Sequence, residues 1–201
     1  MAAEPNAKSR IRKALREKRR SLSPQACLFA GHGVYDNLKK YAPLFRAEKI
    51  ACYLANDGEI SLLPVIEALW QRNKTVCLPV LFGSFGNRQM HFAPYFPDAD
   101  MQMNKYAIVE PAIGMQQRIK PSALDIVLMP LVAFDLQGNR IGMGGGYYDR
   151  SFSFLSRRKH HKKPKLIGVA YDFQEVDSIA SEVWDLPLDA VVTQSRLIQI
   201  S

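Results

Sequence analysis

Short apolar runs alternate along the chain with stretches that have helical periodicity. The apolar runs predict strands at 49–54, 75–81, 90–95, 125–134 and 165–171, and two further apolar runs follow at 190–193 and 197–200. Strands that alternate with helices build a sheet covered by helices, so we predict an α/β sandwich with a mostly parallel central sheet. At 201 residues, a single domain is expected.

Four stretches have the composition and spacing of helices, at 8–22, 24–41, 62–72 and 148–159. Ser23 precedes Pro24, and a serine followed by proline is typical of the N-cap and first position of a helix. We therefore expect the second helix to begin at Pro24. In the first helix, Lys8, Arg12 and Arg16 are spaced four residues apart and share one face. Like charges at this spacing repel, so this face is either solvated or binds a polyanion.

The most unusual stretch follows the apolar run 125–134. Four glycines fall within residues 142–146, a segment that we call the glycine loop. Such a loop can turn several backbone N–H groups toward one anion, and its flanking residues Arg140 and Arg150 suit phosphate or carboxylate. Asp149 adds an oxygen ligand of the kind that Mg²⁺ takes. The alternative is a plain surface turn. The spacing matches neither a Walker A loop nor a dinucleotide-binding fingerprint.

Composition narrows the class of protein. The 47% hydrophobic share is ordinary for a globular protein, and no apolar window is long enough to span a membrane, so a cytoplasmic protein is expected. The three cysteines, Cys27, Cys52 and Cys77, suggest neither a disulfide framework nor a zinc site. The net charge of +8 is concentrated in residues 1–20 and 157–165. These two basic stretches either attract anions or are solvated faces.

Residues 138–150, with the sequence GNRIGMGGGYYDR, resemble the signature of the 5-formyltetrahydrofolate cyclo-ligase family, also called methenyltetrahydrofolate synthetases. The segment KSRIR at 8–12 resembles the N-terminal element of the same family, and the resemblance extends to Thr193. It implies a three-layer α/β/α sandwich, similar to the fold of ribose-phosphate isomerases and CoA-transferases.

The resemblance also implies roles for particular residues. ATP would be bound by Lys8, Ser9, Arg10, Ile11, Arg12, Arg140, Ile141, Gly142, Met143, Gly144, Gly145, Gly146, Tyr147 and Tyr148. Leu54, Glu59 and Tyr148 would face the folate, and Asp149 and Asp189 would hold Mg²⁺. Arg140 and Tyr148 are the expected catalytic residues.

The implied reaction is the ATP- and Mg²⁺-dependent cyclisation of 5-formyltetrahydrofolate to 5,10-methenyltetrahydrofolate. The expected partner is therefore a reduced folate, with or without a polyglutamate tail, and a monomer that binds neither nucleic acid nor membrane is expected. Two other classes stay open at this point. The basic stretches are compatible with a nucleic-acid-binding protein, and a related scaffold could carry a sugar-phosphate isomerase or CoA-transferase.

Overall fold

The computed structural model describes residues 7–82, 89–104, 108–158 and 163–200. The helices of this part of the chain are α1 (Ala7–Arg20), α2 (Pro24–Leu38), α3 (Ala42–Arg46), α4 (Leu63–Gln71) and α5 (Tyr147–Phe152). The predicted N-cap is confirmed, because the Ser23 hydroxyl accepts a hydrogen bond from the Ala26 N–H at 3.2 Å. Three of the four predicted helices end within a few residues of their expected positions.

The strands come from the predicted apolar runs and from three short segments that the sequence did not mark. They are β1 (Lys49–Ala51), β2 (Thr75–Phe82), β3 (Gln89–Pro94), β4 (Met101–Met103), β5 (Val109–Pro111), β6 (Ile126–Pro130), β7 (Ala133–Phe134), β8 (Arg140–Ile141), β9 (Lys165–Val169), β10 (Ala190–Val192) and β11 (Leu197–Gln199). Within the described residues, the main sheet has seven strands in the order β11-β10-β9-β6-β1-β2-β3. The five inner strands are parallel, and β3 and β11 are antiparallel edges.

Successive residues of the inner strands point to opposite faces of the sheet, and each face has its own apolar core. Ile50 packs with Val34 of α2 and Ile66 of α4 on one face. The next residue, Ala51, packs with Phe152 of α5 on the other. Because helices cover both faces, the predicted three-layer α/β/α sandwich is confirmed.

One predicted strand is divided in two. The run 125–134 was expected to be a single strand, but β6 ends at Pro130 and the chain leaves the sheet before β7. The reason is a change of hydrogen-bond partner. The side-chain amide of Gln174 donates to the carbonyls of Leu131 and Val132, both at 2.8 Å, in place of a neighbouring strand. The pair β7–β8 then forms a separate hairpin that leads directly into the glycine loop.

The helix predicted at 148–159 is also shorter than expected. Helix α5 ends at Phe152 and continues as a 3-10 helix over Ser153–Arg157. Two serines compete for the backbone here, since the Ser153 hydroxyl donates to the Arg150 carbonyl and the Ser156 hydroxyl to the Ser153 carbonyl. In the described part of the chain, no helix combines the length and apolar character needed to cross a membrane.

Candidate active site

A cleft of about 1440 Å³ runs between the glycine loop, α5 and the segment 183–189. Predicted site residues line it from several parts of the chain: Lys8, Arg12, Leu54, Glu59, the whole of 140–149 and Asp189. Leu54 and Glu59 follow β1 at the carboxyl ends of the parallel strands, where ligands of such sheets bind. Asp189 directly precedes β10 and so lies at the opposite end of the strands.

Helix α1 lies against the glycine loop. The Arg12 Nε donates to the Gly142 carbonyl at 2.8 Å, and a Cβ built on Gly144 would lie 3.9 Å from the guanidinium carbon. One turn earlier, the Lys8 ammonium is 3.5 Å from a carboxylate oxygen of Asp185. The fold thus brings Arg12 to a loop 130 residues further along the chain, and brings Lys8 to Asp185 in the segment 183–189.

The other three residues of the N-terminal element point elsewhere, as the helical period requires. Ser9 and Arg10 are exposed and do not line the cleft. Ile11 packs against the small apolar cluster that contains Val132 and Ile141, and so fixes α1 to the β7–β8 hairpin. A direct role in ATP binding stays a prediction for Ser9, Arg10 and Ile11, whereas Lys8 and Arg12 are the two that face the cleft.

The glycine loop depends on backbone conformations that favour glycine. Gly144 has φ +93° and Gly146 has φ +64°, both in the left-handed region. A side chain on Gly146 would also collide with Arg150, since a Cβ there would lie 2.7 Å from its Nη1. Gly142 has open space where a Cβ would stand. The loop is therefore held by backbone geometry and leaves an accessible wall on the cleft.

Arg140 is tied down at the base of this loop. Its side chain is 8% exposed, and its guanidinium donates to the Leu186 carbonyl and to the Asp149 carboxylate. Asp149 is 30% exposed and lines the cleft. The predicted phosphate-binding cation and one of the predicted metal ligands thus neutralise each other in this structure.

Asp189, the second predicted metal ligand, also has a cationic partner. Its two carboxylate oxygens accept from the Lys165 ammonium at 2.5 Å and from the Leu166 N–H at 2.8 Å. Lys165 is the last residue of the basic stretch 157–165, so that stretch reaches the cleft at its C-terminal end. Residues 159–162 of the stretch lie outside the described residues. Carboxylates of this kind fit Mg²⁺, which takes one or two of them together with substrate phosphates.

The residues predicted to face the folate form a more enclosed part of the cleft. Burial raises the pKa of Glu59 from 4.5 to about 7, although one carboxylate oxygen accepts from the Asn56 N–H at 3.1 Å. Burial, with the nearby charge of Glu59, also raises the pKa of the Tyr148 phenol well above its ordinary value. Glu59 and Tyr148 therefore share a poorly solvated environment in which an ionised carboxylate gains strongly from hydrogen-bond donors.

Comparison with known proteins decides the family. The sequence model of the 5-formyltetrahydrofolate cyclo-ligase family matches residues 4–194. This chain belongs to the 5-formyltetrahydrofolate cyclo-ligase family. The Escherichia coli K12 5-formyltetrahydrofolate cyclo-ligase is 38% identical over 183 residues, which cover 91% of this chain and 98% of that protein. The Haemophilus influenzae protein of the same name is 43% identical over 143 residues, 71% of this chain and 74% of its own length.

Solved structures agree with this family assignment. The NMR structure of the Aquifex aeolicus 5,10-methenyltetrahydrofolate synthetase has a TM-score of 0.78 and 31% identity, covering 96% of this chain and 92% of that one. The predicted cyclo-ligase family, its α/β fold and its class as an enzyme are confirmed. The comparisons give no support to a nucleic-acid-binding protein, a sugar-phosphate isomerase or a CoA-transferase.

The three cations on the basic face of α1 have different surroundings in this cyclo-ligase. Arg16 was grouped with Lys8 and Arg12 on a face that was expected to be either solvated or bound to a polyanion. Its Nε instead donates to the Asp57 carboxylate at 2.7 Å. Hydrogen bonds from Arg16 and Arg19 lower the pKa of Asp57. A carboxylate of the protein itself thus offsets the repulsion in the second half of the helix.

Asp135 is a structural residue that the sequence reasoning missed. Its fully buried carboxylate accepts hydrogen bonds from the backbone N–H groups of Gln137, Asn139 and Ile179 and from the side-chain amide of Asn139, all between 2.9 and 3.0 Å. These bonds fix the β7–β8 turn and attach the segment that begins at Ile179. The signal in the sequence is the Asp-x-x-Gly-Asn turn at 135–139, in which an aspartate binds the backbone that follows it.

The buried residues Met90 and Phe92 of β3 and Glu110 of β5 have mostly structural roles. Met90 and Phe92 are buried in the core, as favoured for a strand, although Met90 also reaches the cleft. Glu110 is 5% exposed and accepts hydrogen bonds from the Leu81 N–H at 3.2 Å and the Asn104 amide at 2.9 Å. The Glu110 carboxylate therefore holds β5 against β2.

Proposed function

We propose that this protein converts 5-formyltetrahydrofolate and ATP into 5,10-methenyltetrahydrofolate, ADP and phosphate, with Mg²⁺ bound alongside the nucleotide. The observation that supports this proposal is that two chemically different groups of residues line one cleft. Cations and the glycine loop line one part, and Glu59 with Tyr148 lines another. Tyr148 is the second residue after the glycine loop, so a phosphate at the loop and a folate beside Tyr148 would be neighbours.

The chemistry needs close placement more than a reactive side chain. The formyl oxygen attacks the γ-phosphorus, the bond to ADP breaks, and the formyl carbon becomes part of an iminium phosphate. N10 then attacks that carbon and loses its proton, and phosphate leaves with its oxygen. Arg12, Lys8 and Arg140 would neutralise phosphate charge as it shifts during the transfer.

The three cations would exchange protein partners for phosphate oxygens. Lys8 and Arg140 are paired with Asp185 and Asp149, and Arg12 donates to a backbone carbonyl. Asp149 and Asp189 would hold Mg²⁺, which would shield the negative charge of the phosphates. Metal binding at Asp149 would also release Arg140 toward the nucleotide.

Glu59 would recognise the pterin ring of the folate. That ring offers paired N–H donors, and hydrogen bonds from them would stabilise the ionised carboxylate in its buried position. Leu54 and the Tyr148 ring supply apolar surface beside it. A folate bound there would have its N5 and N10 directed to the glycine loop.

The direct test mixes the purified protein with 5-formyltetrahydrofolate, ATP and Mg²⁺ and follows the absorbance of the methenyl product. Product should form only when all three are present, and one ADP should appear for each methenyltetrahydrofolate. Formation of product without ATP, or no product under any ATP and Mg²⁺ condition, would contradict the proposal.

A further inference from the structure

Arg19, near the end of α1, is the largest fully buried side chain in the described part of the chain, with 2% of its surface exposed. A buried guanidinium is costly unless its donors are satisfied. Neither the sequence pattern nor the proposed reaction assigns it a role. Arg19 lies beside Glu59, at the part of the cleft proposed to bind folate, and about two helical turns along α1 from Arg12.

The contacts of Arg19 converge on the turn that carries Glu59. Its Nε donates to the Asp57 carbonyl at 2.8 Å, and its Nη2 donates to the Asp57 carboxylate at 2.8 Å. Its Nη1 donates to the Leu131 carbonyl at 3.1 Å, where the chain leaves β6. One side chain thus joins α1, the 54–60 turn and the segment after β6.

The turn itself has a conformation that needs such support. Asp57 has φ +52° and Gly58 has φ +74°, two successive residues in the left-handed region. The backbone of Arg19 packs directly on Gly58, where a Cβ would lie 2.8 Å from the Arg19 carbonyl oxygen. Without the arginine, Asp57 would lose the partner that fixes both its carbonyl and its carboxylate.

Glu59 is oriented by the same turn. Its backbone N–H donates to the Asn56 carbonyl at 3.0 Å, and its carboxylate accepts from the Asn56 N–H at 3.1 Å. Its other carboxylate oxygen lies 4.0 Å from Nη2 of Arg19. The arginine therefore supplies positive charge near the ionised carboxylate without capping it with a short hydrogen bond.

We infer that Arg19 is the positioning residue for the folate-binding carboxylate, holding Glu59 in place through the 54–60 turn and leaving it open to the pterin. The inference builds on the proposed function, because it takes Glu59 as the folate contact. A lysine cannot replace this arginine, since three nitrogen atoms of one planar group reach three separate acceptors. Helix α1 then serves both substrates, the nucleotide through Arg12 and the folate through Arg19.

The test compares Arg19→Lys and Arg19→Met with Arg20→Met as a matched control. Arg20 is the next residue on α1 and also pairs with Asp57, at 3.3 Å, but its side chain is 51% exposed. The Arg19 variants should raise the KM for 5-formyltetrahydrofolate about 10-fold or more, the size expected for lost charge-assisted hydrogen bonds, while the KM for ATP changes less than about twofold. Arg20→Met should leave both constants unchanged.

A purely structural role would lower the amount of active protein and leave both KM values unchanged. Folded Arg19 variants with unaltered KM for the folate, or with equal changes for both substrates, would overturn the inference. If Arg19→Met does not fold, Arg19→Lys and Asp57→Asn decide, since asparagine tolerates the left-handed conformation and removes only the carboxylate.

Failure of the proposed function would give a different experimental result from failure of this inference. In that case the wild-type protein itself would form no methenyl product. Equilibrium binding of 5-formyltetrahydrofolate to wild type and to the Arg19 variants would then test the inference directly. Equal affinities would refute it, and weaker binding by the Arg19 variants alone would support it.

Discussion

The glycine loop and the 54–60 turn both depend on left-handed backbone conformations, yet they are held in opposite ways. The 54–60 turn is fixed by a buried arginine whose donors are satisfied by the protein. The glycine loop is mostly exposed, and two of the nearby cations, Lys8 and Arg140, are paired with carboxylates that also line the cleft. One part of the cleft is held by internal hydrogen bonds of the protein, and the other contains ion pairs that a ligand can exchange.

This difference fits the two substrates that we propose. A pterin is a rigid ring with a fixed pattern of donors, so a carboxylate held in one orientation loses little entropy on binding it. A triphosphate with its metal is flexible and highly charged, and it needs cations that can move from a protein carboxylate to a phosphate oxygen. The following variants test the contrast, from the largest expected effect to the smallest.

Replacing Glu59 by glutamine should show that burial of this ionised carboxylate destabilises the fold. The folded pKa of Glu59, about 7, lies above the ordinary value of 4.5, so keeping this carboxylate ionised lowers the free energy of unfolding. This loss of stability is absent below pH 4.5 and complete above pH 7. Glu59→Gln should therefore raise the free energy of unfolding by about 3 kcal/mol at pH 8. It should also weaken folate binding.

Thermal denaturation at pH 5 and pH 8 measures this effect. The gain in Tm should be large at pH 8 and shrink toward pH 5, where the folded carboxyl is mostly protonated. A gain of the same size at both pH values would mean that ionisation is not its cause.

Replacing Arg140 by alanine tests the part of the cleft in which cations would exchange carboxylate partners for phosphate. A charge-assisted phosphate contact is worth about 1.5–3 kcal/mol, so turnover should fall at least tens-fold. Arg46→Ala is a suitable control, because Arg46 is exposed on α3 and does not line the cleft. Steady-state kinetics on variants with unchanged melting curves would decide, and near-normal turnover would leave Arg140 as a structural partner of Leu186 and Asp149.

The smallest effect is expected at Arg12. Its contact with the loop is a single hydrogen bond to the Gly142 carbonyl, so Arg12→Ala should raise the KM for ATP by about fivefold and leave the KM for folate unchanged. Lys13→Ala provides the comparison, since Lys13 carries the same charge on the exposed side of α1. Equal ATP constants for the two variants would show that general basic charge, and not this contact, attracts the nucleotide.

Much of this architecture could be predicted from local patterns. Buried strands and the Ser23 cap are visible because their signals lie within a few residues of one another. The division of the run 125–134 could not be predicted, since it depends on Gln174, which is distant in the sequence. Nothing in the sequence distinguishes this buried glutamine from one on the surface. The early end of α5 depends on serines whose competing hydrogen bonds are weak signals in a sequence.

The site shows the same limit. The glycine loop and the N-terminal element could be found from their residue types, and the fold brings Arg12 to Gly142. The charge pattern of α1, in contrast, does not distinguish Arg12, which faces the cleft, from Arg16, which pairs with Asp57. Burial of Arg19 was invisible for the same reason, because a run of basic residues gives no sign of which one meets an internal carboxylate.

The order in which the chain is synthesised gives the placement of α1 a final consequence. This helix leaves the ribosome before its partners Leu131 and Gly142, which follow 112 and 130 residues after Arg19 and Arg12. Closing such long loops is slow compared with forming local contacts. We therefore expect the contacts of α1 with Leu131 and Gly142 to form only after most of the sheet has emerged, later than its contacts with Asp57, so that the cleft is completed near the end of folding.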